Sequence, residues 1–458
     1  MAPAKKSVHT KCKGTVLIVA MIFVVIFSTL AVSMATISGT NAQLASNQHK
    51  VDCALGSATS GLEVQRHWLT PLTMPSSTPQ ADYFSTIVSN LQSDLDANSI
   101  SNFTLENDGS IPPVPLDSVV GQTFSGQMRI SDSNPFVLEV YSTGGDGLVV
   151  RTIKVEFDIE PYEWPIFDYG LATKGPVHFL GNPNLNGLNS NDEADIFIDS
   201  QNNNLALLVT GNTTFAGDIN IGNSSGIADF QGAVKIGGDT GQTAIDNHVK
   251  TGVETPEFPI PDTLRFLPYA TGPIIDSSTD LSSPQMIITN ATIVAGTNPN
   301  FQGSVIIEGI LYIKQPNIVT FESNVTVKGI IVSDGEAYNP GTNSISFLGN
   351  FSSTPFPEGA EFDAIREEKG TSILTPGFSA TFAGNFSSIS GVMAVSGAHF
   401  SGNVSATVKG TIVNYSDNPT IIEGNSSLRF DRSDNIKVPA GFDTLRVLTY
   451  NPSSYSEL

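Results

Sequence analysis

Between Thr15 and His49 the chain carries no charged residue, and the first half of that stretch, TVLIVAMIFVVIFSTLAVSMATIS, is almost wholly apolar. As a helix rising about 1.5 Å per residue, Thr15 to Ser38 spans roughly 36 Å, slightly more than the roughly 30 Å hydrocarbon core of a bilayer. Residues 15–38 are therefore expected to be a transmembrane helix. The alternative, a cleaved signal peptide, calls for an apolar core of about 7–15 residues ending at an A-x-A-like site.

Lys5, Lys6, Lys11 and Lys13 precede Gly14. A basic flank on a first apolar helix stays cytoplasmic, so residues 1–14 form a short cytoplasmic leader and the bulk of the chain lies outside. The 458 residues hold 22 basic and 44 acidic side chains, and without the four leading lysines the remainder carries a formal −26. Such a surface suits solvent and excludes nucleic acid as a partner, because phosphate contacts need Lys and Arg. Only 14% of the residues are charged, against about one-quarter in an average domain. Ser, Thr, Asn and Gly fill the difference, a mix that favours β-structure with many turns. Cys12 and Cys53 fall on opposite sides of the membrane and cannot pair within one chain. Cys53 is expected to be a free or buried thiol, with an intermolecular bridge as the alternative.

Helical spacing persists beyond the apolar run. Leu44, Val51, Ala54, Leu55, Ala58, Leu62 and Val64 fall largely on one stripe, and no proline intervenes before Pro71. Residues 39–70 should thus continue the membrane helix. The segments KCKG-TVLIVAMIFVVIFSTLAV, NAQLASNQHK and ALGSATSGLE together resemble the N-terminal domain of PilX-type type IV pilus assembly proteins over residues 14–69. That resemblance implies a minor pilin or pseudopilin, with prepilin peptidase cleavage between Gly14 and Thr15. Shaft pilins carry Glu at the fifth position after the cleavage glycine; here it is Val19, and minor pilins are often without that Glu. Thr15 stands where Phe or Met is usual. An ordinary signal anchor without a pilus role is the competing reading of the same flank and run.

The exported part reads as three pieces. Pro71, Pro75 and Pro79 make a linker over 71–80. Residues 81–165 read as a small α+β module: ADYFSTIVSNLQSDLDANS has helical spacing, and two alternating runs flank Gly144-Gly145-Asp146-Gly147 as a hairpin. From 166 to 430 short β-branched or aromatic runs punctuated by Gly and Asn take over. FQGSVIIEGILYIK, FESNVTVKGIIVSD, FAGNFSSISGVMAVSG and FSGNVSATVKGTIVNY, starting at Phe301, Phe321, Phe382 and Phe400, repeat one pattern. A period near twenty residues points to a right-handed parallel β-helix, with a β-sandwich as the alternative. Residues 251–283 and 334–377 break the pattern and are expected to lie outside the stack, and 431–458 to cap its open end. FDYGLATKGPVHFLGNPNLNG, PEFPIPD and FDRSDNIKVPAGF also resemble, more loosely, regions attached to PilX-type N-termini.

No phosphate loop, HExxH, CxxC pair or GxSxG elbow occurs in the sequence. His9, His49, His67, His178, His248 and His399 are scattered, with none at ligand spacing from another. Asp192, Glu193, Asp195 and Asp199 cluster, which reads as a solvated turn, with a calcium turn as the alternative. The charged run Glu358 to Lys369 reads as a solvated helix. Asn-x-Ser/Thr sequences at Asn212, Asn290, Asn324, Asn350, Asn385, Asn403 and Asn414 would be glycan acceptors in a eukaryotic exported protein, and read here as β-corner residues. No catalytic residue, metal or cofactor is expected. The expected protein is non-enzymatic and sits single-pass in a bacterial inner membrane. Its partners are the membrane, other pilin-like subunits and surface glycans, the last through a polar face used in adhesion or filament priming. A polysaccharide-binding or pectate-lyase-like protein is the alternative; it would show a groove where acidic and basic groups converge.

Overall fold

The computed structural model describes residues 15–100, 105–117, 122–146, 149–202, 204–335, 339, 341–401, 405–433 and 436–458. The leader 1–14, with Cys12 and Gly14, and Asn403 lie outside the described residues. The fold is mainly β with one long N-terminal apolar helix, and it divides into two compact units.

The first unit comprises the chain up to Met74, Thr78–Glu160 and Val447–Leu458. Its helix α1 runs unbroken over Thr15–Leu69, 55 residues or roughly 82 Å, and ends before Pro71. Strand β1 (Thr73–Pro75) and helix α2 (Tyr83–Ala97) follow, then β2 (Ser110–Asp117), β3 (Gln122–Ile130), β4 (Val137–Asp146) and β5 (Val149–Pro161). The six-stranded sheet has the order β1, Leu445–Glu457, β5, β4, β3, β2. The expected hairpin is the β4–β5 pair, antiparallel from Val137↔Asp158 to Asp146↔Val149. Along β5, Ile153, Val155, Phe157 and Ile159 are buried while Thr152, Lys154, Glu156 and Asp158 are only partly so, the alternation expected of a strand with one face on a core. On α2, Ile87, Val88, Leu91 and Leu95 complete that core at helical spacing.

Two expectations change here. The linker 71–80 is not a bare spacer: Leu72 and Met74 are buried, and residues 73–75 pair with the C-terminal strand. The segment 431–458 is not a cap as a whole, because Leu445–Glu457 is a strand of this six-stranded sheet.

The second unit, Pro161–Arg446 with residues 75–77, is built of parallel ladders. One column runs Phe301, Phe321, Phe347, Phe382, Phe400, Ile422, Phe179, Val209, Phe230, each in register with the next. Its five leading phenylalanines stack ring on ring, centroids 4.7–5.2 Å apart and planes within 14°. Offset aromatic stacking adds about 0.5–1.5 kcal/mol per pair beyond burial. Phe347 is the rung missing from the repeat as read in sequence. Residues 334–377 are therefore not all outside the ladders: Asn343–Phe347, Phe351–Thr354 and Thr371–Thr375 are paired strands, and 355–370 is the excursion. Residues 252–273 hold no strand, while Ile274–Ile275 pairs with Thr292–Ile293.

The stacking order departs from the sequence order. Ile412 pairs with Leu171, Thr420 with Val177 and Leu428 with Leu185, so the earliest strands of the unit sit on the latest. The chain enters mid-stack, builds strands to Thr251, then crosses to the far end and returns through residues 285–430. Incoming and outgoing segments are neighbours, joined by Tyr162 N to Leu445 O at 3.0 Å. The rung at 427–430 is thus covered by 184–187 and leaves no open edge for a C-terminal cap.

Candidate functional site

Every residue of α1 from Thr15 to Lys50 is exposed, among them Phe23, Val24, Val25, Ile26 and Phe27. Among the described residues, this is the one helix long and apolar enough to cross a membrane. An exposed apolar face of this length requires a bilayer or other apolar surfaces around it.

From Ala54 onward the same helix is sewn to the sheet. Ala54, Ser57, Ala58, Gly61, Leu62, Gln65 and Leu69 are buried. The contact face is narrower and smaller than the expected stripe: Leu44 is exposed, and Val51, Leu55 and Val64 are half-buried. The reason is close approach of backbones. A Cβ on Gly144 of β4 would lie 2.1 Å from Ala54 O and 2.2 Å from Ala58 N, and one on Gly61 would lie 2.5 Å from the Phe124 ring. Ser142 Oγ donates to Ala58 O at 2.7 Å and fixes the register.

On the polar face of the same sheet Glu139 accepts from Arg129 Nε at 2.7 Å, Lys154 Nζ at 2.8 Å and Tyr141 Oη at 2.8 Å. Burial alone pulls its pKa up, but the three hydrogen bonds more than offset that and leave it at about 2.

The second unit contains a cavity of about 580 Å³, inside the usual range for small-ligand sites. Its floor is the glycine column Gly329, Gly370, Gly391 and Gly410. At Gly391 (φ +120°) and Gly410 (φ +144°) a Cβ would lie 2.6 Å and 2.8 Å from the glycine one rung away, so neither backbone shape nor space admits a side chain. The excursion 355–369 forms one wall with Phe356, Arg366 and Lys369, and Lys409, Asp431 and Arg432 contribute another. Several of these charges are already engaged. Arg366 pairs with Glu358 at 2.7 Å and with Asp363. Arg265 holds Glu368 at 2.9 Å and also Asp443, and burial still raises the Glu368 pKa, with Arg265 offsetting only part. Asp431 accepts from Ser433 and from Asn189, which with the nearby Lys409 hold its pKa low.

This wall was missed in the sequence reading. Glu358–Lys369 is two short 3-10 turns, Ala360–Phe362 and Ile365–Glu367, pinned by buried Phe362 and Ile365. The only signal was an apolar residue at each end of Phe362-Asp-Ala-Ile365 inside a charged run.

Of the proposed cleavage pair, Thr15 is the first residue of α1 and Gly14 lies outside the described residues. His49 lies 3.7 Å from Cys53 Sγ, a half-buried free thiol. His248 bonds Asp218 at 2.7 Å, and His399 lies 3.1 Å from Glu423. Among the described residues no group of three or more His, Cys, Asp or Glu is placed to hold a metal. The acidic cluster does not converge. Glu193 accepts from Asn189 N and Arg432 N, Asp195 from Asp218 N, and Asp199 from Thr255. The Asn-x-Ser/Thr residues Asn290 and Asn414 are buried and hydrogen-bonded to the chain, and Asn324 Oδ1 accepts from Asn350 N on the next rung.

No family model matches the chain, and no curated protein matches it. Among solved structures, the competence-associated pilin ComZ from Thermus thermophilus is similar at 11% identity, covering 89% of this chain and 98% of that chain with a TM-score of 0.25. At that score the likeness bears no weight for fold or function.

Proposed function

We propose that this chain is a non-enzymatic, membrane-anchored component of a type IV pilus or pilus-like assembly, of the minor pilin or pseudopilin kind that PilX-type proteins represent. In this reading it sits single-pass in a bacterial inner membrane with its N-terminus cytoplasmic. The parallel ladders of residues 171–430 form a right-handed β-helix that is displayed outside for adhesion or filament priming.

The observation that carries the reading is the division of α1. Its first part is uncharged and exposed, while Ala54 to Leu69 is locked to an antiparallel sheet through Gly144 and Gly61. Such a helix is held by lipid before assembly and by the same faces of neighbouring helices afterwards, while the folded unit stays attached throughout. Of the carboxylates that line the cavity, Glu358, Glu368 and Asp431 are each committed to partners within the fold, which supports a structural use for them.

Placing a charge in the middle of the run tests the anchor. Val24→Asp and Ile26→Arg each cost about 2.5–3.5 kcal/mol of insertion. The double variant is expected to shift from alkali-resistant membrane pellets to the soluble fraction. Retention in the pellet at the wild-type level would contradict a membrane-spanning role for residues 15–38.

A further inference from the structure

We propose that the second unit is a clamp on the first: its folded state holds the chain's last strand in the first unit's sheet, and its unfolding releases that strand. The device concerns which parts of the chain come undone together, and it does not rest on the pilus reading.

The first unit is made of two separate pieces of chain, one ending at Glu160 and one running Val447–Leu458, with the second unit inserted between them. The late piece is integral to the sheet. The last strand, Leu445–Glu457, lies second from the edge, between β1 and β5, and β1 joins the sheet only through it. Leu448 is buried in the first unit's core. Tyr450 packs on Phe157 with ring centroids 5.5 Å apart and lies 5.3 Å from the Arg66 guanidinium. Ser454 Oγ accepts from Glu156 N at 2.7 Å, and Leu458 N donates to Thr152 O at 2.9 Å. Without this strand β1 has no place in the sheet, and β5 is left with a row of unpaired backbone groups.

The inserted unit closes its own neck. Tyr162 N donates to Leu445 O at 3.0 Å, Trp164 Nε1 donates to Phe442 O at 2.8 Å, and the Phe167 and Phe442 rings meet edge to face at 4.9 Å. While the neck holds, the last strand starts beside the end of β5, as if a turn of a few residues joined them. With the second unit unfolded, the same two points are joined by residues 163–444, a loop of 282 residues. Loop closure falls as about the −3/2 power of length, so against a turn of about four residues the strand's local concentration at its slot drops roughly 500-fold. The strand is poorly equipped to hold on alone. Its share of the core is Leu448 and part of Tyr450, Pro452 has no N–H to give the ladder, and Ser453, Tyr455 and Glu457 are exposed. By contrast, β4 keeps both its sheet neighbours, β3 and β5, and its contact with α1 through Gly144 when that strand leaves.

The test is amide hydrogen exchange of the full-length protein in detergent micelles, resolved by peptide. Through the urea range in which residues 325–333 of the ladders lose protection, residues 447–457 are expected to lose theirs with them, while residues 137–146 stay protected. Phe321→Ala, a change confined to the second unit, is expected to quicken exchange over 447–457 about tenfold or more, in step with 325–333, and to leave 137–146 within about twofold. Should that variant fail to fold, Phe321→Leu supplies the same comparison with a smaller shift, beside the urea series on the unaltered chain. Protection of 447–457 that outlasts that of 325–333, or exchange there that does not move when 325–333 opens, would overturn the proposal. So would opening of 137–146 in step with both, since the two units would then unfold as one block. None of these outcomes bears on leader cleavage or membrane insertion, so this proposal and the pilus reading fail separately.

Discussion

Glu139 shows how much one side chain holds in place. It is buried on a sheet face and joins β3, β4 and β5 through Arg129, Tyr141 and Lys154. Its pKa is lowered from 4.5 to about 2, so the folded state prefers the ionised form. The stabilisation is complete above about pH 4.5 and is lost as pH falls through about 2, because protonation then removes the acceptor charge. Glu139→Gln is expected to destabilise the first unit by about 1–3 kcal/mol at neutral pH and to flatten its acid dependence. The chain has two tryptophans, Trp68 and Trp164. Urea denaturation followed by Trp68 fluorescence in a Trp164→Phe background therefore reads the first unit alone. An equal acid dependence with and without Glu139 would refute the assignment. Gly144 acts by absence: a methyl group there meets Ala54 O and Ala58 N. Gly144→Ala is expected to loosen the α1 contact by about 2–3 kcal/mol, seen as faster amide exchange over residues 54–69. The network around Glu139 was only half legible: alternation put Lys154 and Glu156 on one face, but the partners on β3 and β4 depend on a register that spacing alone does not fix.

At the scale of elements, the aromatic column explains why the repeat was readable. Phe301, Phe321, Phe382 and Phe400 open repeats of like sequence because each ring packs on an equivalent ring one rung away. Phe347 fills the gap although its surroundings lost the pattern to a strand break and the excursion after Thr354. Removing an interior ring, as in Phe321→Ala, is expected to cost about 3–5 kcal/mol and to lower the urea midpoint of the second unit, read by Trp164 in a Trp68→Phe background. A midpoint moved by less than 1 kcal/mol equivalent would mean that the column is not continuous. The order of rungs was not legible. A rung's sequence specifies an apolar strand above and below it, and Leu171 satisfies Ile412 as well as a sequential neighbour would. Only the long strand-free crossing at 252–273 hints that the chain relocates. Arg265, in the 3-10 turn Leu264–Tyr269 of that crossing, ties it to Glu368 and Asp443. Arg265→Met leaves Glu368 buried without its partner and is expected to destabilise the second unit by about 3 kcal/mol, read by the same Trp164 urea denaturation; an unchanged midpoint would show that the crossing is held by other contacts.

For the whole molecule, the uncharged stretch before Lys50 outweighs every other feature of the chain. A −22 protein with an exposed apolar helix of this length is compatible with water only if that helix is elsewhere. The sequence alone made this part plain, because hydropathy acts residue by residue and needs no partner. The groove was opaque for the opposite reason: Lys369, Lys409 and Arg432 are distant in sequence and meet only once the rungs are stacked. The proposed role in a pilus-like assembly requires that the leader be removed and that the helix pack with those of other subunits. The N-terminal sequence of the protein recovered from membrane and sheared-filament fractions tests it most directly. A mature chain beginning at Thr15, present in the sheared fraction, is the predicted result. An intact leader on protein confined to the membrane would contradict the account.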